Sequence, residues 1–508
     1  MSTHHIATLL PPMWGHTVGY LHLSVQLLGA DPTLVMSIVQ HQVLVSQMEK
    51  ELAGCTYDSS RLRIIGVGMP PDSGVAFDLD AYEAIFRELV MGWMQIIPEL
   101  AQGSAEWPKP RTIHFDFTCG GHVIDPTKSI LGPDIKTVLW YCSNAAALFV
   151  MVNECDFTAI FDKIMGDETL RAGRAPEQIQ LEICSAFNGT DKLTGQIVHI
   201  PGLPDTYDYE RVTLAAGPPI TGWPILTSGQ QLGKRVDGYI AASGSYLEPM
   251  GIPQIRKHYM EHNQTLFAVG PQTHPKYFEA NATQEQITDP EIAGFLDKHS
   301  KNSVLYISFG SLFFPVATPK HVEALVETLL TLEPAFPFIF ALGSSWSQAA
   351  ISSSLIERVN SSGKGLICTS WVQQRAILQH DAVGWFLTHG GFNSITEAMT
   401  LGMPMIIWPV AAEQPGNALS FSSEPNPVAI ELLQIRTGAQ VGPSLRFGDS
   451  VNITGTVEDA VAEFKAVFAE ARGAKGKMLR ENAERLRNTV QMGRTNESAE
   501  EIKRLAAF

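Results

Sequence analysis

The chain has 508 residues, of which 45% are hydrophobic and 17% charged, and it carries a formal net charge of −16 at pH 7. Because one hydrophobic core rarely organises so long a chain, we expect two domains. The acidic balance argues against a nucleic-acid-binding surface, and no apolar run reaches the roughly 18 residues that a membrane span needs.

The cysteines and the N-terminal residues indicate the cellular compartment. The six cysteines lack CxxC and zinc-ligand spacings and stand in apolar surroundings, which is typical of core thiols in a reducing compartment. The stretch MSTHHIATLLPP has neither the basic region nor the long apolar run of a signal peptide. We therefore expect a cytoplasmic protein without an integral membrane anchor, and we infer no obligate protein partner.

The first half of the chain alternates apolar strands with helical periodicity. Strands are expected at HIATLLPP (5–12), TLVMSIVQ (33–40), RLRIIGVG (61–68), RTIHFDF (111–117) and TVLWYCS (137–143). With helices between them, this rhythm predicts an α/β domain with a doubly wound parallel sheet. Ligands of such sheets bind beyond the carboxyl ends of the strands, where Gly15 and His16 lie.

The second half repeats this plan after a polar stretch without periodicity, residues 271–292, which predicts a linker. Strands are expected at SVLYISF (303–309), PFIFAL (337–342), GLICTSW (365–371), GWFLTHGG (384–391) and PMIIWPV (404–410). Asn393 is expected to cap the helix after the glycine turn, and Gly402 to end it.

The 44 residues from Trp371 to Gln414 carry the clearest chemistry. Trp371 offers a flat face on which a nucleobase can stack. The glycine turn leads into a helix N-terminus whose N–H groups suit a diphosphate. Glu397 lies one turn after Asn393, where a carboxylate can accept both hydroxyls of a ribose. Glu413 and Gln414 together offer acceptors and donors for the hydroxyls of a sugar.

This stretch resembles the donor-binding box of the UDP-dependent glycosyltransferases of the plant secondary-metabolite type, which runs W-x-P-Q, H-C-G-W-N-S, E, W-P and a final acid–Gln pair. The positions that match in register are Trp371, Gln374, His389, Gly391, Asn393, Ser394, Glu397, Trp408, Pro409, Glu413 and Gln414. Gln373, Gly390 and Phe392 depart from the pattern, and Phe392 stands near the hexose in the family.

The resemblance implies the GT-B fold, an α/β architecture of two facing Rossmann-like domains with parallel sheets. In that fold the C-terminal helix crosses back to the N-terminal domain. We accordingly expect an acceptor-binding domain at residues 1–270 and the linker at 271–292. A UDP-sugar-binding domain is expected at 293–475, followed at 476–508 by C-terminal helices that pack back towards the N-terminal domain.

The resemblance also implies the residues of the site. For the UDP-sugar we expect contacts from Ser311, Trp371, Val372, Gln374, His389, Gly391, Phe392, Asn393, Ser394, Glu397, Glu413 and Gln414. The family places its catalytic base at His16 and the carboxylate partner of that base at Asp116. Such a carboxylate fixes the imidazole tautomer and stabilises the imidazolium. Trp14 is expected in the acceptor pocket, and Ser143 is a further group that could reach the sugar or phosphate.

Other assignments compete for some of these roles. His114 and His122 are alternative bases close to the same strand. Asp78 and Asp80 match the Asp-x-Asp pattern of metal-dependent glycosyltransferases. The same residues fit a helix start better, because Asp80 and Glu83 have the spacing of a capping box. We therefore expect neither a metal ion nor a cofactor, with the UDP-sugar as co-substrate.

The predicted function is the inverting, metal-independent transfer of a hexose, with glucose as the expected sugar. The donor is a UDP-sugar and the acceptor a hydroxyl of a small apolar molecule such as a phenolic, flavonoid, terpenoid or sterol. Two alternatives remain: a nucleotide-sugar epimerase on the same fold, and a non-catalytic nucleotide-sugar-binding protein. Release of UDP with and without an added phenol separates the three.

Overall fold

The computed structural model describes residues 3–70, 79–154, 156–186, 193–212, 222–278, 284–343 and 345–508. The chain forms two compact units. The first unit comprises Met1–Cys184, Ile220–Pro275 and Met492–Phe508, and the second comprises Ser185–Pro219 and Lys276–Gln491. The sequence places Ser185–Pro219 inside the first domain, whereas its contacts place this segment in the second unit.

Parallel strands form the sheet of the first unit: β1 (His4–Leu9), β2 (Leu34–His41), β3 (Leu62–Val67), β4 (Thr112–Asp116), β5 (Lys136–Tyr141), β6 (Gly238–Ala241) and β7 (Thr265–Ala268). Their order is β3-β2-β1-β4-β5-β6-β7. β1 therefore lies inside the sheet. The strands that follow it are added first on one side of β1 and then, from β4 onward, on the other side. Ligands of doubly wound sheets bind at such a switch point, beyond the carboxyl ends of the strands.

Helices accompany these strands: Trp14–Ala30, Gln42–Leu52, Leu79–Gln102, Ile124–Leu131, Ala145–Phe149, Phe157–Gly166, Glu168–Arg171, Pro176–Ala186, Gly222–Gly233 and Gly251–Glu261. They cover the sheet, which is why β2 is buried along its whole length and its sequence is mostly apolar. The Ala499–Ala507 helix also packs in the first unit, against the Trp14–Ala30 helix. Its end is fixed by His4 Nε2, which lies 3.1 Å from the Ala506 carbonyl oxygen.

The second unit repeats the same plan with the strands β8 (Val304–Ser308), β9 (Phe338–Ala341), β10 (Gly365–Cys368), β11 (Val383–Thr388), β12 (Met405–Ile407) and β13 (Ala429–Glu431). Their order is β10-β9-β8-β11-β12-β13, and neighbouring strands are parallel. Trp385 and Trp408 are buried in its core, where Trp408 stacks on Phe464 with ring centroids 5.7 Å apart. The predicted fold class, α/β with Rossmann-like parallel sheets, is confirmed.

The helices of this part are Pro290–Leu296, Pro319–Thr331, Ser345–Ala350, Ser353–Ser362, Gln374–Gln379, Phe392–Leu401, Gln414–Ser422, Val457–Ala471 and Ala474–Gly493. Two short antiparallel hairpins also occur, Ile197–Val198 with Thr206–Tyr207 and Gly442–Ser444 with Gly448–Ile453. Among the helices of the described ranges, none combines the length and the apolar character that a membrane crossing requires.

Helix boundaries show where the local expectations succeed and fail. Gly402 ends the Phe392–Leu401 helix in the left-handed conformation, with φ at 65°, as predicted. The prediction that Asn393 caps this helix is wrong, because Gly391 is the N-cap and the helix begins at Phe392. Glycine reaches the extended N-cap conformation easily and needs no capping side chain when a ligand can use the N–H groups. Asp78 and the side chain of Asp80 lie outside the described residues.

Candidate functional site

His16 and Asp116 form a hydrogen-bonded pair in the first unit. His16 lies in the first turn of the helix that follows β1, and Asp116 is the last residue of β4. Since β1 and β4 are neighbouring parallel strands, their carboxyl ends place the two side chains together. His16 Nδ1 lies 2.9 Å from Asp116 Oδ2. An Nδ1–H donated to this carboxylate leaves Nε2 as the imidazole atom that can accept a proton.

The pair is fixed from both sides. Asp116 is fully buried, and its Oδ1 accepts hydrogen bonds from the main-chain N–H and the hydroxyl of Thr118, at 2.9 and 2.7 Å. Trp140 Nε1 donates to the His16 carbonyl at 3.0 Å. The His16 side chain keeps 19% of its surface exposed, so an acceptor can reach the imidazole while the carboxylate stays shielded from water.

Cys142 is a partner of His16 that the sequence reasoning missed. The thiol hydrogen-bonds to the imidazole, and it follows β5, the strand beside β4. Burial alone would lower the pKa of His16, but Cys142 and Asp116 outweigh it and raise the pKa well above its ordinary value. The position of TVLWYCS at a strand end next to the RTIHFDF strand was the signal that could have identified Cys142.

The other predicted residues of the first unit have different environments. The hydroxyl of Ser143 is buried and has no hydrogen-bond partner within the described residues, so it remains a candidate for a ligand contact. Trp14 is the first residue of its helix and is partly exposed. His114 is buried with Nδ1 2.6 Å from the Tyr20 hydroxyl, and burial lowers its pKa to about 3. Burial also lowers the pKa of His122.

His389 lies at the centre of the glycine-rich loops of the second unit. It directly follows β11, and its ring lies against Gly310 and Gly391. A Cβ atom at Gly310 would stand 2.8 Å from His389 Cε1, and one at Gly391 would stand 2.5 Å from Nε2. Both positions therefore require glycine, and Ser311, which follows Gly310, is exposed. Burial lowers the pKa of His389 to about 4, although a hydrogen bond to the Ser308 main chain opposes this shift.

The helix N-terminus after this turn has a glycine as its N-cap, so no side chain competes for the first N–H groups. Phe392, Asn393 and Ser394 form the first turn, with Phe392 and Ser394 buried. Such a terminus carries partial positive charge and binds anions. A neutral His389 beside it can contribute an N–H donor, but no charge, at neutral pH.

The predicted ribose and base contacts also come together. Gln374 Nε2 donates to Glu397 Oε2 at 2.8 Å, and Gln374 Oε1 accepts from the Tyr306 hydroxyl at 3.3 Å. Trp371 is 66% exposed, which leaves a face of the indole open for a base. Val372 follows it and is partly buried. The contacts of these residues with ribose and base stay predictions. The structure itself shows the hydrogen bond between Gln374 and Glu397.

Gln414 is more constrained than the sequence suggests. Its side chain is buried, and Oε1 accepts hydrogen bonds from the N–H groups of Val410 and Ala411, both at 2.8 Å. The amide carbonyl is thus engaged inside the loop, and the amide NH2 is the group that could donate to a sugar hydroxyl. Asn417, which the sequence reasoning missed, donates to the Gly390 carbonyl at 2.8 Å and joins this helix to the glycine turn.

Glu413 precedes this helix as its N-cap residue and is partly buried. The residue before it, Ala412, has φ at +55°. A left-handed conformation is costly for alanine and often marks functional sites. In the described part of the chain, no three His, Cys, Asp or Glu side chains form a cluster that could hold a metal ion.

The family described as "UDP-glucoronosyl and UDP-glucosyl transferase" matches residues 278–440. The UDP-glycosyltransferase eriJ of Hericium erinaceus is 28% identical over 499 residues, which cover 93% of this chain and 91% of that protein. The nuatigenin 3-beta-glucosyltransferase of Solanum aculeatissimum is 38% identical over 154 residues, which cover 30% of this chain and 28% of that enzyme.

Solved structures share the fold. A UDP-glucosyltransferase from Polygonum tinctorium that can glucosylate indoxyl superposes with a TM-score of 0.67 at 19% identity, covering 100% of this chain and 99% of that one. A Medicago truncatula UGT solved with UDP-glucose gives a TM-score of 0.65 at 20% identity, covering 99% and 98% of the two chains.

Proposed function

Because this chain is a UDP-glycosyltransferase of the plant type with the GT-B fold, we propose that it transfers glucose from UDP-glucose to a hydroxyl of a small apolar acceptor, with inversion and without a metal ion. The observation that carries the proposal is the 2.9 Å hydrogen bond between His16 Nδ1 and Asp116 Oδ2. A buried carboxylate that holds a partly exposed imidazole in one tautomer is the arrangement of a general base.

In the proposed reaction, His16 Nε2 takes the proton of the acceptor hydroxyl while its oxygen attacks the anomeric carbon of the donor. The bond from that carbon to the diphosphate oxygen breaks, and UDP leaves with the electron pair. Asp116 stabilises the imidazolium that forms. A single displacement opposite the leaving group inverts the anomeric centre.

The second unit supplies the groups for the donor. The uncapped N-terminus of the Phe392–Leu401 helix and the neutral His389 would stabilise the leaving diphosphate by hydrogen bonds. Glu397 would accept from the ribose hydroxyls, and Trp371 would stack on uracil. Glu413 and the amide NH2 of Gln414 would hold the hexose.

An apolar acceptor is supported by the aromatic side chains beside His16. The Phe117 ring lies 5.5 Å from the imidazole between centroids, and Tyr141 lies 5.0 Å from Phe117. The relatives named above act on nuatigenin and on indoxyl by the wording of their names. We therefore place phenols, flavonoids, terpenoids and sterols first among the acceptors.

The test is a screen of these acceptors with UDP-glucose, UDP-galactose and UDP-glucuronate, in which mass spectrometry detects the product and NMR gives its anomeric configuration. We expect a β-glucoside and UDP release that depends on the acceptor. Release of an epimerised UDP-sugar, or binding without turnover for every acceptor, would favour the alternative functions. Preference for UDP-glucuronate would overturn the choice of glucose.

A second assay addresses the metal. We expect the transfer rate to be the same before and after treatment with a chelator, because helix N–H groups and His389 take the role of a cation. Loss of activity that added Mg²⁺ or Mn²⁺ restores would contradict this and return attention to Asp78 and Asp80.

A further inference from the structure

Residues 193–212, called the strap below, belong to the first half of the sequence but pack in the second unit. The strap contains the hairpin of Ile197–Val198 with Thr206–Tyr207. Asp208 closes this hairpin, because its carboxylate accepts the N–H groups of Thr194 and Gly195 at 2.8 and 3.0 Å. The strap is therefore an ordered element with its own internal hydrogen bonds.

Glu210 ties the strap to the rest of the second unit. It is 5% exposed, and its Oε1 accepts from the Ser444 hydroxyl at 2.8 Å and lies 3.5 Å from Arg436 Nη1. Its Oε2 accepts the N–H groups of Tyr207 at 2.9 Å and Leu445 at 3.1 Å. One carboxylate thus joins the strap hairpin to the Gly442–Ser444 strand.

The contacts of Glu210 continue as a chain of alternating charges. Arg436 pairs with Glu431 at the end of β13, and Glu431 Oε2 lies 2.6 Å from Arg446 Nη2. Arg446 Nη1 donates at 2.7 Å to the Ser422 hydroxyl. Ser422 is the last residue of the Gln414–Ser422 helix. Removing one member of such a buried chain leaves its neighbour with an uncompensated charge.

The strap also covers the other end of the same helix. Leu203 Cδ1 would lie 3.6 Å from a Cβ atom at Gly416, in ordinary van der Waals contact. Ile200, Pro415 and Leu419 line the same small cavity. Leu203 of the strap packs near the first turn of the Gln414–Ser422 helix, and the chain of alternating charges fixes Ser422, its last residue. The helix that begins with Gln414 is thus held at both ends by groups connected to the strap.

We propose that the strap positions the Glu413–Gln414 pair against the hexose of the donor, and that Glu210 is the positioning residue on which this depends. The inference rests on the proposed function, in which this pair holds the sugar. Glu210 touches Ser444, Leu445 and Arg436, and acts on the sugar only through the helix. The residues predicted to hold the nucleotide part of the donor lie outside this helix, which contacts their glycine turn through the hydrogen bond from Asn417 to the Gly390 carbonyl.

The experiment compares the affinities of UDP and UDP-glucose by titration calorimetry in the wild type, in Glu210→Gln and in Leu203→Ala. Both variants should weaken UDP-glucose by about 3- to 30-fold, the size of effects transmitted through a packed network. The affinity for UDP should stay at the wild-type value, because UDP lacks the hexose. Ile197→Ala is the matched control, since this strap residue is 59% exposed and should change neither affinity.

The ratio of the two affinities separates positioning from general loosening. A parallel loss for UDP and UDP-glucose, or an unchanged ratio in both variants, would overturn the inference. If Glu210→Gln does not fold, the ratio in Leu203→Ala decides, because this variant leaves the ion chain intact. A wild type that binds neither nucleotide would overturn the proposed function and the inference with it, whereas wild-type binding with an unchanged ratio removes the inference alone.

Discussion

Two histidines occupy comparable places in the two units but have opposite proton affinities. His16 lies in the first turn of the helix after β1, and His389 follows β11, so each lies near the carboxyl end of a strand in a parallel sheet. The ring of His16 meets a buried carboxylate and a thiol, and its pKa is raised. The ring of His389 meets glycines and a main-chain carbonyl, and burial lowers its pKa to about 4.

The difference between the two pKa values shows that the group beside a buried imidazole decides what the histidine can do. Burial lowers the pKa of an imidazole unless an opposite charge compensates it. With Asp116 beside it, His16 can take and hold a proton, as a base must. With no carboxylate acting on its pKa among the described residues, His389 stays neutral at pH 7, where one ring nitrogen donates and the other accepts. Four predictions follow from this contrast, in order of decreasing effect.

Replacing His16 by alanine should have the largest effect. Loss of the general base should lower kcat by about 10²–10⁴-fold, while the affinity for UDP-glucose stays nearly unchanged, because the predicted donor contacts lie in the second unit. Initial rates at saturating acceptor and calorimetric titration with UDP-glucose measure the two quantities. Full activity in this variant would remove His16 from the role of base.

Asp116→Asn should remove the charge together with one of the two acceptor oxygens. The amide keeps a single oxygen for either His16 Nδ1 or the Thr118 donors, and the charge that stabilises the imidazolium is lost. Hydrogen bonds to charged groups contribute about 1.5–3 kcal/mol, which corresponds to about 10- to 150-fold in kcat. Activity requires unprotonated His16, so it rises with pH through the pKa of this residue. Removing Asp116 lowers that pKa, and the acidic limb of the pH–rate profile should move to lower pH.

Gln414→His should alter the sugar and leave the proton chemistry untouched. An unmet hydrogen bond at a buried hydroxyl costs roughly 1–3 kcal/mol, enough for about a 5- to 150-fold preference between hexoses. The variant should therefore lose the preference for UDP-glucose over UDP-galactose, while the acidic limb of its pH–rate profile stays at the wild-type position. An unchanged donor ranking would show that Gln414 is not the selector.

Cys142→Ala should give the smallest change. The thiol is one of the groups that raise the pKa of His16, so its removal should shift the acidic limb to lower pH in the same direction as Asp116→Asn. At alkaline pH, where His16 is unprotonated in both proteins, the rates should be similar. Cys184→Ala is the control. Burial raises the pKa of the Cys184 thiol to about 12, and this thiol is not among the groups that shift the pKa of His16, so the variant should leave the pH–rate profile unchanged.

Much of this molecule could be predicted from local sequence patterns. Apolar runs identify the strand that ends at Asp116 and the strands that precede His16 and His389, since strands buried on both faces carry few polar residues. The spacing of the motif residues from Trp371 to Gln414 is enough to predict that Gln374 and Glu397 belong to one site. Strand ends that are distant in sequence meet because parallel neighbours share a carboxyl edge.

Other features are invisible in the sequence because they depend on contacts between distant residues. The N-terminal half gives no local sign that residues 185–219 pack in the second unit. That packing depends on the buried series of ion pairs that runs from Glu210 to Arg446. These two residues are more than 200 positions apart in the sequence. The helix start at Phe392 likewise depends on the glycine turn and its neighbours, not on the capping preference of Asn393.

The sequence by itself determined the succession of strands and helices along the chain and the donor box, because periodicity and motif spacing are local properties. The family resemblance supplied His16 and Asp116 as the two residues proposed for catalysis. Only the tertiary structure decided how these groups behave. It placed Cys142 beside His16, used the Gln414 carbonyl inside its own loop and buried His389 against glycines. The physical reason is that proton affinity and hydrogen-bond availability depend on burial and on the nearest partner, and both are set by the packing of the whole unit.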